Sequence, residues 1–431
     1  MIKSYSFRPK IGNYVGKNVC IFDEGGTCVE LARILSDHFV KTFYYTEWKQ
    51  TGFPQINRWA IGQCIPNVIR VDDFFSIIND VDLFIFTDVL RSDLQKYLIS
   101  KGKLVWGARD GEIIEQERHE LKKLLLNVGL PVGKFDTIIG TKNLREYLKE
   151  NEDVYVKIDK FRGTSETFHS ENYDTIEPLI DELDTKLGPC LKNTIPFLVE
   201  QSIPTGVETG MDIFVCDGKF PDRTMGGIEA KNASYLCKVL PYAEFPKQLR
   251  IVNDSLVPFF KKVGYRGAFS TEIRITKDGV PYFMDATCRQ PLPPSQLQWY
   301  MYKNLPDILW ETASGNIIDC EIDEPFGCQL ILTSDQCKKG WLSVNCPPEY
   351  RENVFWDRYM MDGDKTYITY DPDNKYVGSV VATGWYLDQA IEKAEEIAKS
   401  LSGIGIMYDD DSVEELKEQI KEMQKLGVNF F

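Results

Sequence analysis

The sequence has few of the residues on which several common active sites depend. Only three histidines occur, and they lie far apart, at His38, His119 and His169. A histidine-rich zinc site or a histidine-based catalytic triad is therefore disfavoured. The 11 cysteines are scattered and never form a Cys-x-x-Cys pair, so we expect reduced thiols in the cytoplasm. Any chemistry should rest on carboxylates, lysines and arginines.

Other absences narrow the class of protein. No stretch approaches the roughly 18 consecutive apolar residues of a membrane span, and the first residues lack the apolar core of a signal peptide. The formal net charge of -15 disfavours nucleic acid as a partner, although a local basic cleft stays compatible with it. No internal repeat or low-complexity tract is present. The 431 residues are enough for two or three domains, each with its own core.

The most informative stretch of the sequence is residues 264–289. Two runs with alternating apolar side chains, residues 268–275 and 280–286, flank the pair Asp278-Gly279. An Asp-Gly pair between alternating runs is typical of a β-hairpin. The stretch therefore predicts two antiparallel strands.

Charged residues fall on matching faces of these two strands. Side chains alternate along a strand, so Glu272 and Arg274 share one face of the first strand, and Asp285 and Thr287 share one face of the second. Such acids usually form a solvated face. Asp285, however, lies in an otherwise apolar run, and a buried carboxylate needs a cation. Two acids near Arg289 would suit Mg²⁺ and the phosphates of a nucleoside triphosphate.

The N-terminal part of the chain predicts an open α/β domain over residues 1–115. An apolar strand at residues 18–22 runs into a turn with Gly25 and Gly26, and an amphipathic stretch follows at residues 28–35. Further apolar runs repeat the pattern of a parallel sheet, at residues 42–45, 81–87 and 103–106. The turn lacks the full Gly-x-Gly-x-x-Gly spacing, so a packing turn is favoured over a dinucleotide site, with a small-ligand site as the rival.

The middle of the chain holds isolated candidates. Residues 116–128 predict an amphipathic helix, and Lys157 interrupts a β-branched and aromatic run, where a phosphate, a carboxylate or a solvated edge would explain it. The loop at residues 159–166 offers cations, hydroxyls and backbone N–H groups, which fits a phosphate lid or an ordinary surface loop. Residues 315–431 show no standout acid or base and predict a packing domain.

Taken in order, these motifs resemble the ATP-grasp superfamily, most closely its phosphoribosylamine-glycine ligase (glycinamide ribonucleotide synthetase) branch. The motifs that carry the resemblance are Gly264-Tyr265-Arg266-Gly267, Asp285-Ala286-Thr287-Cys288-Arg289, Glu117-Arg118 ahead of Gly129-Leu130-Pro131, and the segment VVATGWYLDQAIEKAEEIA. The resemblance implies a Rossmann-like domain at residues 1–115. It also implies an ATP-grasp domain at 116–314, with a lid subdomain at about 130–198, and a small α+β domain at 315–431.

The resemblance also implies roles for individual residues. Glu272, Asp285 and Thr287 would bind Mg²⁺, with Mn²⁺ as an alternative ion, while Arg289 and Lys157 would act on the transferred phosphate. The residues expected to bind ATP are Arg118, Lys157, Glu200, Gln201, Ile203 and Glu208. Those expected to contact the substrates are Gly25, Gly26, Lys231 and Arg289.

The function implied is an ATP-dependent carboxylate–amine ligase. It would join a small-molecule acid to an amine through an acyl phosphate, releasing ADP and phosphate. Thr287 replaces a metal-binding asparagine of the family, and its hydroxyl is a weaker Mg²⁺ ligand than an amide carbonyl. Residues 25–30 replace the family's GGREHA turn, which belongs to the sugar-phosphate substrate region, so a different substrate from that of the purine step is expected. An ATP-grasp phosphotransferase and a nucleotide-binding protein without catalysis are the alternatives. Thr287 and the short lid at 159–166 are the reasons for considering a nucleotide-binding protein without catalysis.

Overall fold

The computed structural model describes residues 14–47, 57–158 and 167–431. Its N-terminal part is a five-stranded parallel sheet of order β3-β2-β1-β4-β5. The strands are β1 (Asn18–Phe22), β2 (Lys41–Tyr45), β3 (Val68–Arg70), β4 (Leu83–Phe86) and β5 (Leu104–Trp106). The helices of this part are α1 (Val29–Leu35), α2 (Asn57–Ala60) and α3 (Ser92–Ser100). The predicted open α/β sheet is confirmed.

The strand sequences explain why this sheet is covered on both faces. All four residues of β4 are buried, as are four of the five residues of β1. Continuous apolar strands of this kind are typical of parallel sheets with helices on both sides. The sequence prediction missed β3, which is only three residues long and has no buried residue.

Two short helices lead from this sheet to a smaller antiparallel one. They are α4 (Ile113–Gln116) and α5 (Arg118–Asn127), and α5 ends before Gly129, whose φ is 76°. The smaller sheet has the order β6-β9-β7-β8. Its elements are β6 (Phe135–Ile139), α6 (Thr141–Glu150), β7 (Val154–Ile158), β8 (Thr167–Ser170), α7 (Tyr173–Leu191) and β9 (Pro196–Gln201). This unit has a separate hydrophobic core, and the predicted lid loop at residues 159–166 lies outside the described residues.

The largest element is an eight-stranded antiparallel sheet of order β14-β13-β10-β11-β12-β15-β20-β17. Its first strands and helices are β10 (Gly206–Cys216), β11 (Arg223–Ala230), β12 (Ser234–Pro241), α8 (Lys247–Val263), β13 (Arg266–Thr276), β14 (Pro281–Thr287), α9 (Ser295–Met301) and α10 (Leu305–Ser314). The amphipathic helix α8 packs its apolar side against β10 and β14. One face of the sheet therefore packs into the hydrophobic core.

The C-terminal residues complete that sheet. Their elements are β15 (Phe326–Thr333), β16 (Leu342–Asn345), β17 (Val354–Trp356), β18 (Tyr359–Asp362), β19 (Lys365–Ile368), β20 (Tyr376–Gly384), α11 (Leu387–Ser400), β21 (Ser402–Gly403) and α12 (Ser412–Lys425). Strands β15, β17 and β20 join the large sheet, and the others form a second sheet, β18-β19-β16-β21. The expected boundary near residue 315 falls between α10 and β15, and both domain boundaries, with the lid subdomain, stay predictions. Across the described parts of the chain, no helix is long and apolar enough to span a bilayer.

Candidate active site

A polar cleft lies on one face of the large sheet. Met211 and Ile213 of β10 and Ile273 and Ile275 of β13 are buried in the core, so the residues between them face the other way. A cavity of about 100 Å³ opens on that face. We call it the acidic cavity, and its lining includes Glu208, Asp212, Glu229, Lys231, Glu272 and Thr287.

The predicted hairpin is confirmed and supplies part of this cleft. Strands β13 and β14 pair antiparallel, with Gly279 at φ 81° in the turn, a conformation that favours glycine. Glu272 lies directly across from Asp285, and Ser270 lies across from Thr287. The register shifts just after Glu272, which is the mark of a β-bulge. The two acids singled out in the sequence are therefore cross-strand neighbours.

Three distant parts of the chain meet at Asp285. The ammonium of Lys157, on β7, lies 3.0 Å from Asp285 Oδ2, and Arg118 Nε, at the start of α5, lies 3.8 Å from Oδ1. Arg118 Nη1 also donates to the carbonyl of Ile158 at 2.7 Å, which ties α5 to β7. Burial alone would raise the pKa of Asp285, but Lys157 and Arg118 outweigh it and the pKa is lowered. Conversely, burial opposes the charge on Lys157, yet Asp285 and Glu200 raise its pKa.

Lys122 was not among the residues picked out from the sequence. Its ammonium is buried and lies 2.7 Å from Glu200 Oε1, while Lys157 lies 3.7 Å from Oε2 of the same acid. Arg118 and Lys122 are four residues apart, so they occupy one side of α5. The four-residue spacing from Arg118, which was picked out, could have pointed to Lys122. Glu200 is thus held by two lysines at the base of the cleft.

A second charged group surrounds Glu272 in the acidic cavity. Lys231 Nζ lies 2.9 Å from Glu272 Oε1, and Arg274 Nε donates to Glu208 Oε1 at 2.8 Å. The carboxyls of Glu208 and Glu272 lie close enough for each to affect the pKa of the other. Burial, with Asp285 and Glu208 close by, raises the pKa of Glu272 despite Lys231. For Glu208, Arg274 outweighs burial and the pKa is lowered.

This crowding of acids fits a divalent cation. Glu208, Glu272 and Asp285 bring three carboxyls together, and the pKa of Glu272 is raised by burial first and then by the charges of Asp285 and Glu208. Hard cations such as Mg²⁺ prefer oxygen ligands, and their charge relieves this kind of repulsion. Thr287 lines the same cavity and offers a hydroxyl oxygen. The donor set therefore suits Mg²⁺.

A tighter cluster of acid and histidine side chains lies at the start of α5. Ligand atoms of Glu117, His119 and Glu120 all lie within 4.8 Å of one another. Glu120 is already paired with Lys123 at 2.7 Å and with His119 at 3.2 Å. This cluster is explained by ion pairs at a partly exposed helix start.

The residues expected at the adenine and ribose lie where β9 meets the hairpin. Gln201 donates its N–H to the carbonyl of Lys134 at 2.9 Å, and the carbonyl of Ile203 accepts from Arg274 Nη1 at 3.4 Å. Arg274 also binds Glu208, so one guanidinium joins the end of β9 to the acidic cavity. Arg274 was noted on the strand face but not assigned to the site.

Arg289 has a different set of partners from Lys157 and Arg118. Its Nε lies 2.9 Å from Glu115 Oε1 and 3.6 Å from Asp88 Oδ1. Glu115 also accepts a hydrogen bond from the backbone N–H of Cys288, at 2.5 Å. The chain after the hairpin is therefore anchored to α4 by Glu115, an acid that the sequence did not single out.

The glycine turn of the N-terminal sheet packs against the C-terminal part of the chain. Gly26 has φ 74°, and its carbonyl accepts from the N–H of Arg358 at 2.9 Å. A Cβ on Gly26 would lie 2.9 Å from Ile61 Cδ1, so a larger residue would require the Ile61 side chain to shift and would be strained at this φ. The buried Asp23 carboxylate accepts from the N–H groups of Gly26 and Cys28, at 2.9 and 2.7 Å. The turn with Gly25 and Gly26 is thus held by Asp23 and by the backbone of Arg358, and the substrate role expected for the two glycines stays a prediction.

The whole fold is similar to that of known enzymes. Phosphoribosylamine–glycine ligase from Thermotoga maritima superposes with a TM-score of 0.67 at 15% identity, covering 91% of this chain and 98% of that one. Biotin carboxylase from Campylobacter jejuni, in a β,γ-ATP complex, gives 0.65 at 13% identity, covering 93% and 96%. The biotin carboxylase domain of 2-oxoglutarate carboxylase from Hydrogenobacter thermophilus, with MgADP and bicarbonate, gives 0.65 at 12%, covering 96% and 99%. The expected ATP-grasp fold is confirmed. No protein-family model and no curated protein matches the sequence.

Proposed function

We propose that this protein is an ATP-dependent ligase that joins a small carboxylic acid to an amine. The observation that carries the proposal is the convergence of Arg118, Lys157 and Asp285, from three separate parts of the chain, beside the carboxyls of Glu208 and Glu272. Two buried or half-buried cations next to a group of acids suit a triphosphate with its metal ion. The neighbours crystallised with an ATP analogue and with MgADP support the same reading.

The reaction needs ATP because a carboxylate is a poor electrophile. A carboxylate oxygen of the substrate attacks the γ-phosphorus, the bond to the bridging oxygen breaks, and ADP leaves. The amine nitrogen then attacks the acyl carbon, the bond to the phosphate oxygen breaks, and inorganic phosphate leaves while the nitrogen loses a proton. Atoms and charges balance with one ATP consumed for each C–N bond formed.

The chain's own residues would position the reactants and offset the charge on phosphate. Lys157 and Arg118 would contact ATP phosphates, and Arg289 would contact the phosphoryl group being transferred. Glu272, Asp285 and Thr287 would hold Mg²⁺, which when bound offsets the charge on the phosphate oxygens.

The adenosine part of ATP and the substrates would use further residues. Gln201 and Ile203 would meet the adenine through backbone groups, with Glu200 beneath them and Glu208 toward the ribose. Lys231, at the acidic cavity, would contact the substrates.

The test is ADP formation over a panel of acids and amines. Release of ADP should require both an acid and an amine, and Asp285→Ala should lower it by at least about 10²-fold, because it removes a metal ligand and a partner of Lys157. Asp362→Ala is the control, since Asp362 is exposed at the end of β18. Full activity in Asp285→Ala would contradict the site. A stable phosphorylated acid formed without amine would instead indicate a phosphotransferase, and tight ATP binding without turnover would indicate lost catalysis.

A further inference from the structure

A second cavity, of about 150 Å³, lies beside the acidic cavity. We call it the Asp357 cavity. Its walls come from the glycine turn at Thr27, from α9, from the connection between β17 and β18, and from the start of β20, and Pro293 lines both cavities. Lys231 lines the first cavity, and the next residue, Asn232, lines the second. A molecule bound in the Asp357 cavity would therefore be next to the acidic cavity, which Glu272 and Thr287 of the proposed metal site line.

A chain of buried polar side chains supports one wall of this cavity. Gln296 Nε2 donates to Asp357 Oδ1 at 3.1 Å. The oxygen of the same amide accepts from Gln329 Nε2 at 2.7 Å and from Ser379 Oγ at 2.6 Å, which fixes the direction of its NH₂ group. Gln329 and Ser379 are completely buried in the core of the large sheet. Burying such a network costs free energy unless it is satisfied, and the proposed ATP site makes no use of it.

Asp357 and Arg358 give the cavity an acid and a cation side by side. Among the described residues, Gln296 is the hydrogen-bond donor to Asp357, although a carboxylate accepts about four hydrogen bonds. Arg358 is 3% exposed, donates to the carbonyl of Tyr376, and has its Nε 3.7 Å from Asp371 Oδ2. A carboxylate with spare acceptor capacity recognises an ammonium group, and a guanidinium recognises an acid.

We infer that the Asp357 cavity binds the amine substrate, and that this substrate is a small zwitterion of the amino-acid class. Its ammonium group contacts Asp357, and its acidic group lies toward Arg358. The volume is about half of the roughly 300 Å³ at which cavities for drug-sized ligands begin, which suits a molecule of this size. The assignment of the molecule as a substrate rests on the proposed ligase function, whereas the binding site does not.

The electrostatic surroundings of Asp357 give binding a pH dependence. Burial raises the pKa of Asp357 to about 6, with Asp23 and Glu30 adding to it and Arg358 opposing it. Cys28 is a further titratable group close to Asp357. An ammonium group is attracted only to the charged carboxylate. Affinity for the amino acid should therefore fall as the pH drops through about 6, by up to about tenfold for each unit.

The experiment is calorimetric titration of the full chain with the standard proteinogenic amino acids, in the presence of MgADP. At least one should bind the wild-type protein, and Asp357→Asn should weaken its binding by about 10- to 100-fold, because the charged acceptor is lost. Asp362→Asn, with the same change at an exposed site, should bind as the wild type does. The affinity of both variants for MgADP should be unchanged, which also shows that they are folded.

Two results would overturn the inference. One is that no amino acid has a higher affinity for the wild-type protein than for the Asp357→Asn variant. The other result needs no variant. It is that the wild-type protein binds the amino acid with the same affinity at about pH 7.5 and at about pH 5.5. Both measurements are independent of turnover. Failure of the ligase proposal would show instead as ADP formation that does not depend on an amine, so the two failures are distinguishable.

Discussion

Replacing Lys157 by methionine should weaken ATP binding without unfolding the protein. The charged group around this residue contains the cations Arg118, Lys122 and Lys157 and the acids Glu200 and Asp285. Its net charge is therefore one positive unit, and the loss of Lys157 leaves it neutral. Asp285 keeps Arg118 at 3.8 Å, and Glu200 keeps Lys122 at 2.7 Å. Neither acid is left buried without a cation, which is the case that costs most.

The size of the effect on binding follows from the contact that is lost. A hydrogen bond to a charged group contributes about 1.5–3 kcal/mol, so the Lys157→Met variant should bind MgATP about 10- to 100-fold more weakly. Adenosine has no phosphate, so its affinity should not change. The thermal unfolding midpoint should fall by no more than a few degrees, because the remaining charges still balance.

Calorimetric titration with MgATP and with adenosine tests this reasoning. Lys122→Met is a matched control, because it removes the same charge from the same group while Lys157 stays next to Asp285. It should weaken MgATP binding much less. The reasoning is wrong if Lys157→Met binds MgATP as tightly as the wild type, if adenosine binding falls in parallel, or if Lys122→Met is equally impaired.

Two further changes test the packing around the site. Glu30 is buried, and Arg351 and Arg33 outweigh burial to lower its pKa. Its ion pairs therefore stabilise the fold above the ordinary glutamate pKa of about 4.3, and this stabilisation is lost as the pH falls through the lower pKa of the folded state. Glu30→Gln should therefore lower the calorimetric unfolding midpoint at neutral pH, and by less near pH 3. An equal loss at both pH values would contradict this. A Cβ on Gly210 would lie 1.9 Å from the carbonyl oxygen of Thr271, so Gly210→Ala should push β10 from β13 and cost about 1–3 kcal/mol of stability by denaturant titration. Gly363 differs in having a positive φ of 60° and no atom within 4 Å of the added Cβ, so Gly363→Ala should show only the backbone strain.

Local patterns predicted those parts of the fold that depend on neighbours in sequence. The hairpin at residues 264–289 and the N-terminal strands have a clear period and clear turn residues, and the structure has them. The pairing of β15 with β12, and of β20 with β15, was not predictable in this way. Strand pairing across such a separation depends on side-chain packing in three dimensions, which no window of sequence contains.

In the candidate site, too, local sequence patterns predicted some residues, whereas contacts between distant residues could not be predicted. Asp285 could be found because it is an acid in an apolar run, and Asp357, which follows the aromatic pair Phe355-Trp356, is a second case of that pattern that was passed over. The partners of the acids were harder to find. Lys122 with Glu200 and Arg274 with Glu208 are 78 and 66 residues apart, and only the folded chain shows that they touch.

The arrangement of the large sheet has a consequence for any attempt to isolate its nucleotide-binding half. A fragment ending near residue 315 would keep β12 but lose β15, which pairs with it over Ser234–Lys238. Backbone N–H and C=O groups along β12 would then lose their hydrogen-bond partners on β15, and apolar side chains that normally lie in the interior would be exposed beside them. Such an edge invites pairing with a second copy, so a truncated protein would tend to aggregate even though every residue around Lys157 were retained.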